Sequence, residues 1–191
     1  MHMQDIPLRT SRDNSESMTV ALEERKRMAV SQSERVSKPL DTFPRLLLNH
    51  ATTRGDRPAT REKYLGIWQT WSWAQVAEEV RAMACGLAEL GFKRGENIAI
   101  IGDNRPRLYW AMCAAQMLGG VPVPMYQDAV AAEMAFVFTD GDIRFAIVED
   151  QEQVDKLLEI GDQCPCLQHI LYDDSRGMRH YTQTSLQGLD E

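Results

Sequence analysis

Hydrophobic positions along this chain alternate between short solid runs and stripes at helical spacing. The most solid run, residues 98–101, is closed by Gly102 and followed by polar Asp103-Asn104. Either of those residues suits a helix cap, and Pro106 falls in the first turn behind them, where a missing N–H costs little. The next stretch is apolar almost all round (Leu108, Trp110, Ala111, Met112, Ala115, Met117, Leu118), as a buried helix is. Gly119-Gly120 ends it, and residues 121–125 read as a second strand. Strand, helix and strand within about thirty residues make a βαβ unit, which needs a parallel sheet and a right-handed crossover.

Upstream, Phe43, Leu46, Leu47, His50 and Ala51 repeat at helical spacing behind Asp41 or Thr42 as cap, and Arg54-Gly55-Asp56 closes that helix. Residues 58–63 and 67–71 form a hairpin turning at Leu65-Gly66. Ser72 and Gln75 have capping-box spacing, with Trp71 and Val76 placed as a hydrophobic staple. The helix behind them carries Trp73, Val76, Ala77, Val80, Met83, Ala84 and Leu87 on one stripe and stops at Gly91. Downstream the alternation continues as a helix over 129–139, a strand over 143–148, a helix over 151–160 and a strand over 170–172. Ser185-Leu186 begins a further helix in this reading. The pattern predicts an α/β fold: a doubly wound, mostly parallel sheet with flanking helices. Pro122 and Pro124 strip donors from one side of their strand, so it donates toward one neighbour only.

Residues 1–38 break this pattern. Their sizeable apolar contacts in a helix over 18–30 would be only Met18, Val20, Leu22, Met28 and Val30, with residues 23–27 all charged between them. So thin a stripe predicts a mobile polar N-terminal extension at 1–38, ahead of an α/β unit at 39–191.

Charge sharpens the picture. Residues 1–39 carry seven basic and six acidic groups, 40–127 carry ten and eight, and 128–191 carry four against fourteen. A final third with a local net of −10 argues against nucleic acid as a partner. No apolar run approaches the roughly 18 residues of a membrane span, which leaves peripheral contact as the expected form of any membrane association. Asp5, Asp13 and Glu16 interrupt the basic residues that a mitochondrial transit peptide needs, so the expected location is cytoplasmic. Cys85, Cys113, Cys164 and Cys166 are expected as free thiols, the first two as small hydrophobes in apolar helices. Cys164-Pro165-Cys166 with His169 offers too few ligands for a structural zinc site.

The search for chemistry is largely negative. Ligands of such sheets bind beyond the carboxyl ends of the strands, where Gly102-Asp103-Asn104, Tyr126-Gln127-Asp128 and Glu149-Asp150 fall. Asp103 there could hold a metal or a ribose hydroxyl, but capping the buried helix is the favoured role for Asp103 or Asn104. His50 lies on an apolar stripe with no partner acid or nucleophile nearby in sequence. The hydroxyl-rich stretch at 181–185 with Gly188 lacks the second glycine and the lysine of a phosphate loop. No nucleophile elbow is present either. Composition and spacing name no catalytic, cofactor-binding or metal-binding residue.

Several stretches in order do resemble a known family. They are Trp71-Ser72-Trp73 with its helix, Leu90-Gly91-Phe92-Lys93-Arg94-Gly95-Glu96-Asn97-Ile98-Ala99-Ile100, Asn104 with Tyr109-Trp110, Gly119-Gly120-Val121-Pro122-Val123-Pro124, and Glu149-Asp150-Gln151-Glu152-Gln153-Val154. Together, over about residues 40–191, they resemble the start of AMP-forming acyl-CoA synthetases, the adenylate-forming superfamily. Tyr126-Gln127-Asp128 and the helix from Glu149 are most similar to its long-chain fatty-acid branch. One departure is Glu96, where the family commonly has Asp. The resemblance implies a two-step ligase: a fatty carboxylate attacks the α-phosphate of ATP, with Mg²⁺, giving acyl-adenylate and pyrophosphate, and the thiol of coenzyme A then displaces AMP. The family's phosphate loop, adenine and ribose motifs, hinge and C-terminal lysine have no matching positions here. The chain is therefore expected to be the N-terminal part of a ligase, inactive alone and without a cofactor of its own. Its expected partner is the remainder of the synthetase or a second copy; ATP, Mg²⁺, coenzyme A and fatty acid belong to the complete enzyme. The alternative is a stand-alone, non-catalytic binding or association module built on that fold.

Overall fold

The structure, a computed structural model, describes residues 40–190, so the expected extension over 1–38 lies outside the described residues. Helix α1 (Phe43–Arg54) is capped by Thr42, whose hydroxyl accepts the Arg45 N–H at 3.4 Å. Strands β1 (Pro58–Tyr64) and β2 (Ile67–Ser72) form an antiparallel hairpin of their own. Helix α2 (Trp73–Glu89) opens with the expected capping box: Ser72 and Gln75 each accept the other's backbone N–H. Then follow β3 (Asn97–Ile101), α3 (Pro106–Met117), β4 (Val121–Met125), α4 (Ala131–Asp140), β5 (Phe145–Val148), α5 (Gln151–Glu159), β6 (His169–Tyr172) and β7 (Leu186–Gly188).

Strands β3 to β7 make one five-stranded sheet in the order β4-β3-β5-β6-β7, every pairing parallel. The order dictates where the helices go. From β3 the chain steps outward to β4, then doubles back past β3 to β5, β6 and β7. A right-handed crossover in each direction puts α3 on one face of the sheet and α4 and α5 on the other. The core divides accordingly. Ile98, Ile100, Phe145, Ile147 and Leu171 pack with α1, α2 and α3, while Ala99, Ile101, Ala146, Val148 and Ile170 pack with α4 and α5. Two-sided burial is why these strands read as solid apolar runs instead of alternating ones. Strand β4 stands at the edge with its Val121 N–H donating to Glu96 O at 2.9 Å, and Pro122 and Pro124 point their missing donors outward.

Four sequence expectations are corrected. Neither Asp103 nor Asn104 caps α3; the N-cap position is Arg105, with no side-chain cap bond, and the Asp103 carboxylate accepts the Asn104 N–H at 2.7 Å. Pro106 at the first helical position keeps Arg105 extended, so the cap falls later than the reading assumed. The stretch from Ser185 is a strand, not a helix. The open edge of β6 captures it: Ile170 N–H donates to Ser185 O at 2.8 Å and Leu189 N–H to Tyr172 O at 2.9 Å. Cys85 is exposed on α2, off its buried stripe, and is not a core hydrophobe. Phe43, assigned to the apolar face of α1, is 70% exposed at the helix start, with Pro44 and Leu47 taking the buried positions. Cys164 and Cys166 turn their thiols to the carbonyls of Ala135 and Phe138, and His169 stacks on Phe145.

Candidate functional site at the carboxyl edge of the sheet

The loops after β3, β4, β5 and β6 meet along one edge. Strand order reverses between β3 and β5, and a crevice at that switch point is where doubly wound sheets usually take a ligand. Here the chain's own side chains occupy it. The β5 ladder runs on past the strand, with Glu149 N–H donating to Ile101 O at 2.9 Å and Asp174 N–H to Glu149 O at 2.7 Å. That extension lays Glu149 across the end of β3. Its carboxylate accepts the Asp103 N–H at 2.6 Å and the Arg105 Nε–H at 2.7 Å. Arg105 also reaches Glu62 of β1 at 2.9 Å, so its guanidinium joins the hairpin to the switch point. The Glu149 bond, with the fields of both carboxylates, outweighs partial burial and raises the Arg105 pKa further above its ordinary value.

Gly102 makes this closure sterically possible. Its φ is 153°, and a Cβ there would lie 2.6 Å from Glu149 Cβ and 2.6 Å from Leu108 Cδ1. Glycine is therefore required at the end of β3 for Glu149 to pass over it.

A second cleft, of about 570 Å³, opens beside the first between the ends of β3 and β4, lined by Asp103, Asn104, Tyr109, Met112, Pro124, Tyr126, Gln127 and Asp128 among others. Among the described residues its charged lining consists of the two aspartates. Asn104 Oδ1 accepts the Tyr109 hydroxyl at 2.8 Å, and the Gln127 carbonyl accepts Lys156 Nζ–H at 2.5 Å. A cleft that offers carboxylates and no cation repels phosphate.

Further along the edge, Arg107 lies 3.1 Å from Asp173 and 2.6 Å from Asp190. Burial pushes the Asp173 carboxyl above its ordinary range against the pull of Arg107, whereas the Arg107 bond holds Asp190 below that range. Asp174 is likewise held low by its bond to Arg176. Asp150 caps α5 by accepting the Gln153 N–H at 3.3 Å. Among the described residues no group of three or more His, Cys, Asp or Glu side chains is placed to hold a metal ion. His50 sits edge-on to Trp73 at 4.6 Å with Arg54 beside it, not facing any acid or nucleophile at this edge. The sequence brought Asp103, Gln127 and Glu149 to the right edge. It gave no sign that Glu62, Arg105 and Glu149, whose contacts span 43 and 44 residues, would close the crevice.

Strand order, two-faced helix packing and the Glu149–Arg105 contacts at the switch point define a doubly wound α/β unit. A family model described as AMP-binding enzyme matches residues 47–188, and the chain belongs to that family. A long-chain-fatty-acid–CoA ligase, ACSBG2 of Xenopus laevis, is 28% identical over 145 residues, which is 76% of this chain and 20% of that relative. Uncharacterized protein Rv1549 of Mycobacterium tuberculosis is 29% identical over 136 residues, covering 71% of this chain and 74% of that protein. The chain thus spans about a fifth of the curated ligases it matches. Among solved structures, an acetoacetyl-CoA synthetase from Streptomyces lividans superposes with a TM-score of 0.69 at 20% identity, covering 78% of this chain and 24% of that one. The N-terminal domain of FACL13 from Mycobacterium tuberculosis gives 0.63 at 22%, covering 71% and 34%. These two likenesses show the fold.

Proposed function

We propose that this chain is the N-terminal α/β subdomain of an AMP-forming fatty acyl-CoA ligase, contributing scaffold and one wall of the strand-end site. The observation that carries this reading is the family match over residues 47–188, together with a switch point filled by Glu149 and Arg105. Fatty acid, ATP, Mg²⁺ and coenzyme A are then substrates and cofactors of the complete enzyme. The described residues do not fit ATP or Mg²⁺. The open cleft carries only negative charge, the acids beside it are engaged by arginines or backbone, and no metal-binding group is assembled. No step of adenylation is therefore assigned to a residue here, and the chain alone makes no acyl-adenylate. No helix among the described residues is long and apolar enough to cross a membrane.

The test is fatty-acid-dependent ATP–pyrophosphate exchange by the purified chain, alone and mixed with a related ligase lacking its own N-terminal portion. The chain alone is expected to be silent and the mixture active. Exchange by the chain alone overturns the reading. A stand-alone association module is the second reading, favoured by the match that covers 74% of the short mycobacterial protein. It predicts silence in both arms.

A further inference from the structure

The β1–β2 hairpin ends in four large apolar side chains left in water: Tyr64 is 46% exposed, Leu65 80%, Ile67 66% and Trp68 64%. Tyr64 pairs with Ile67 across the strands and Lys63 with Trp68, so the loop between them is only Leu65-Gly66. Both loop residues have positive φ, 47° and 83°. Such a turn favours Asn, Asp or Gly, and a leucine there is strained. Leu65 thus weakens the turn and buries little in exchange. A local rule broken without a structural gain points to function.

Side chains alternate across a strand, which puts Arg61, Lys63, Trp68 and Thr70 on one face of the hairpin. Arg61 and Lys63 form no ion pair with a described residue. Residues 57–72 carry Arg57, Arg61 and Lys63 against Glu62, a local +2 in a chain of net −7. On the other face Glu62, two pairs back from the turn, is tied to Arg105, while Leu65, Ile67 and Trp68 beyond it stay exposed.

We infer that this tip is a wedge that docks the protein on an anionic lipid surface. Leu65, Ile67, Tyr64 and Trp68 enter the interfacial layer, where Trp and Tyr are favoured, and Arg61 and Lys63 meet lipid phosphates. Apolar insertion and basic attraction are the two signals that together give stable yet reversible attachment. The local charge of +2 complements an anionic lipid surface and opposes a second copy that carries the same charge. The inference rests on the hairpin and not on the ligase reading.

The test is flotation of the full chain with vesicles of phosphatidylcholine alone and of phosphatidylcholine mixed with phosphatidylglycerol. The parent chain is expected to float with the mixed vesicles and to lose most binding at high salt. Leu65→Asn is expected to weaken partitioning about tenfold, from the loss of one inserted leucine, while its melting temperature stays level or rises because Asn suits the turn. Arg61→Gln with Lys63→Gln is expected to abolish the preference for anionic vesicles. If Leu65→Asn lowers the melting temperature, Trp68→Ser on the exposed strand face carries the same comparison. Three results overturn the wedge: no flotation of the parent, flotation indifferent to the tip substitutions, or a parent dimer in size-exclusion chromatography that Leu65→Asn dissociates.

Discussion

Replacing Glu149 with alanine removes the carboxylate that closes the switch point. Two bonds go with it, to Asp103 N–H at 2.6 Å and Arg105 Nε–H at 2.7 Å. A hydrogen bond to a charged group is worth about 1.5–3 kcal/mol when both partners are removed from water. Glu149 is 13% exposed, but the Arg105 side chain is 39% exposed and can be rehydrated. That exposure moves the arginine bond to the low end of the range, and the return of the carboxylate to water in the unfolded state offsets part of the rest. The net cost expected for Glu149→Ala is about 2 kcal/mol, with about half of that for Glu149→Gln, which keeps one acceptor for the Asp103 amide. For a unit of this size the alanine variant would melt about 4–8 °C lower. Urea unfolding followed by circular dichroism measures the loss directly, as a shift of midpoint at constant slope. A double-mutant cycle of Glu149→Gln with Arg105→Gln isolates the pair, with a coupling of about 1 kcal/mol expected. A Glu149→Ala change below about 0.5 kcal/mol, the range of an indifferent surface substitution, would refute the claim that this carboxylate holds the crevice shut.

Other expectations follow from single sites. Gly102→Ala forces a Cβ to within 2.6 Å of Glu149 Cβ and Leu108 Cδ1 at a φ of 153°, and is expected to cost about 2–4 kcal/mol by the same unfolding assay. Burial, assisted by Arg144, holds the His169 pKa below 6.5, so its neutral form stabilises the fold above that pH. Stability is lost as pH falls from 6.5 through the lower folded value, and His169→Gln is expected to flatten that part of the stability–pH curve. Burial pushes the Cys113 thiol up to about 11, so thiol labelling at pH 8 is expected to modify exposed Cys85 first, and Cys85→Ser to remove that fast phase.

Much of the frame was legible because its causes are local. Ser72 and Gln75 meet three residues apart, Gly119-Gly120 and Pro122 punctuate a helix and an edge strand, and solid apolar runs at 98–101 and 145–148 follow from burial on both faces. The failures have different causes, and contact between distant parts of the chain is one of them. Residues 186–188 have no strand pattern of their own and become one only because β6 offers an edge. Arg105 is the residue before α3 because Pro106 at the first helical position keeps the residue ahead of it extended. Cys85 lies off the stripe that periodicity itself marks on α2, and the exposure found there follows that stripe, not the apolar composition of the helix. The carboxyl edge was therefore located from sequence, while its closure was not.

The most direct measurement is an amide-resolved NMR titration of the full chain with ATP and Mg²⁺, read at residues 102–105 and 149–150. With the crevice filled by the chain's own carboxylate and guanidinium, those amides are expected to show no saturable shift, in the parent chain and in Glu149→Gln alike. Saturable shifts confined to those amides in the parent chain would contradict the closed switch point and with it the assignment of nucleotide chemistry to the remainder of the ligase.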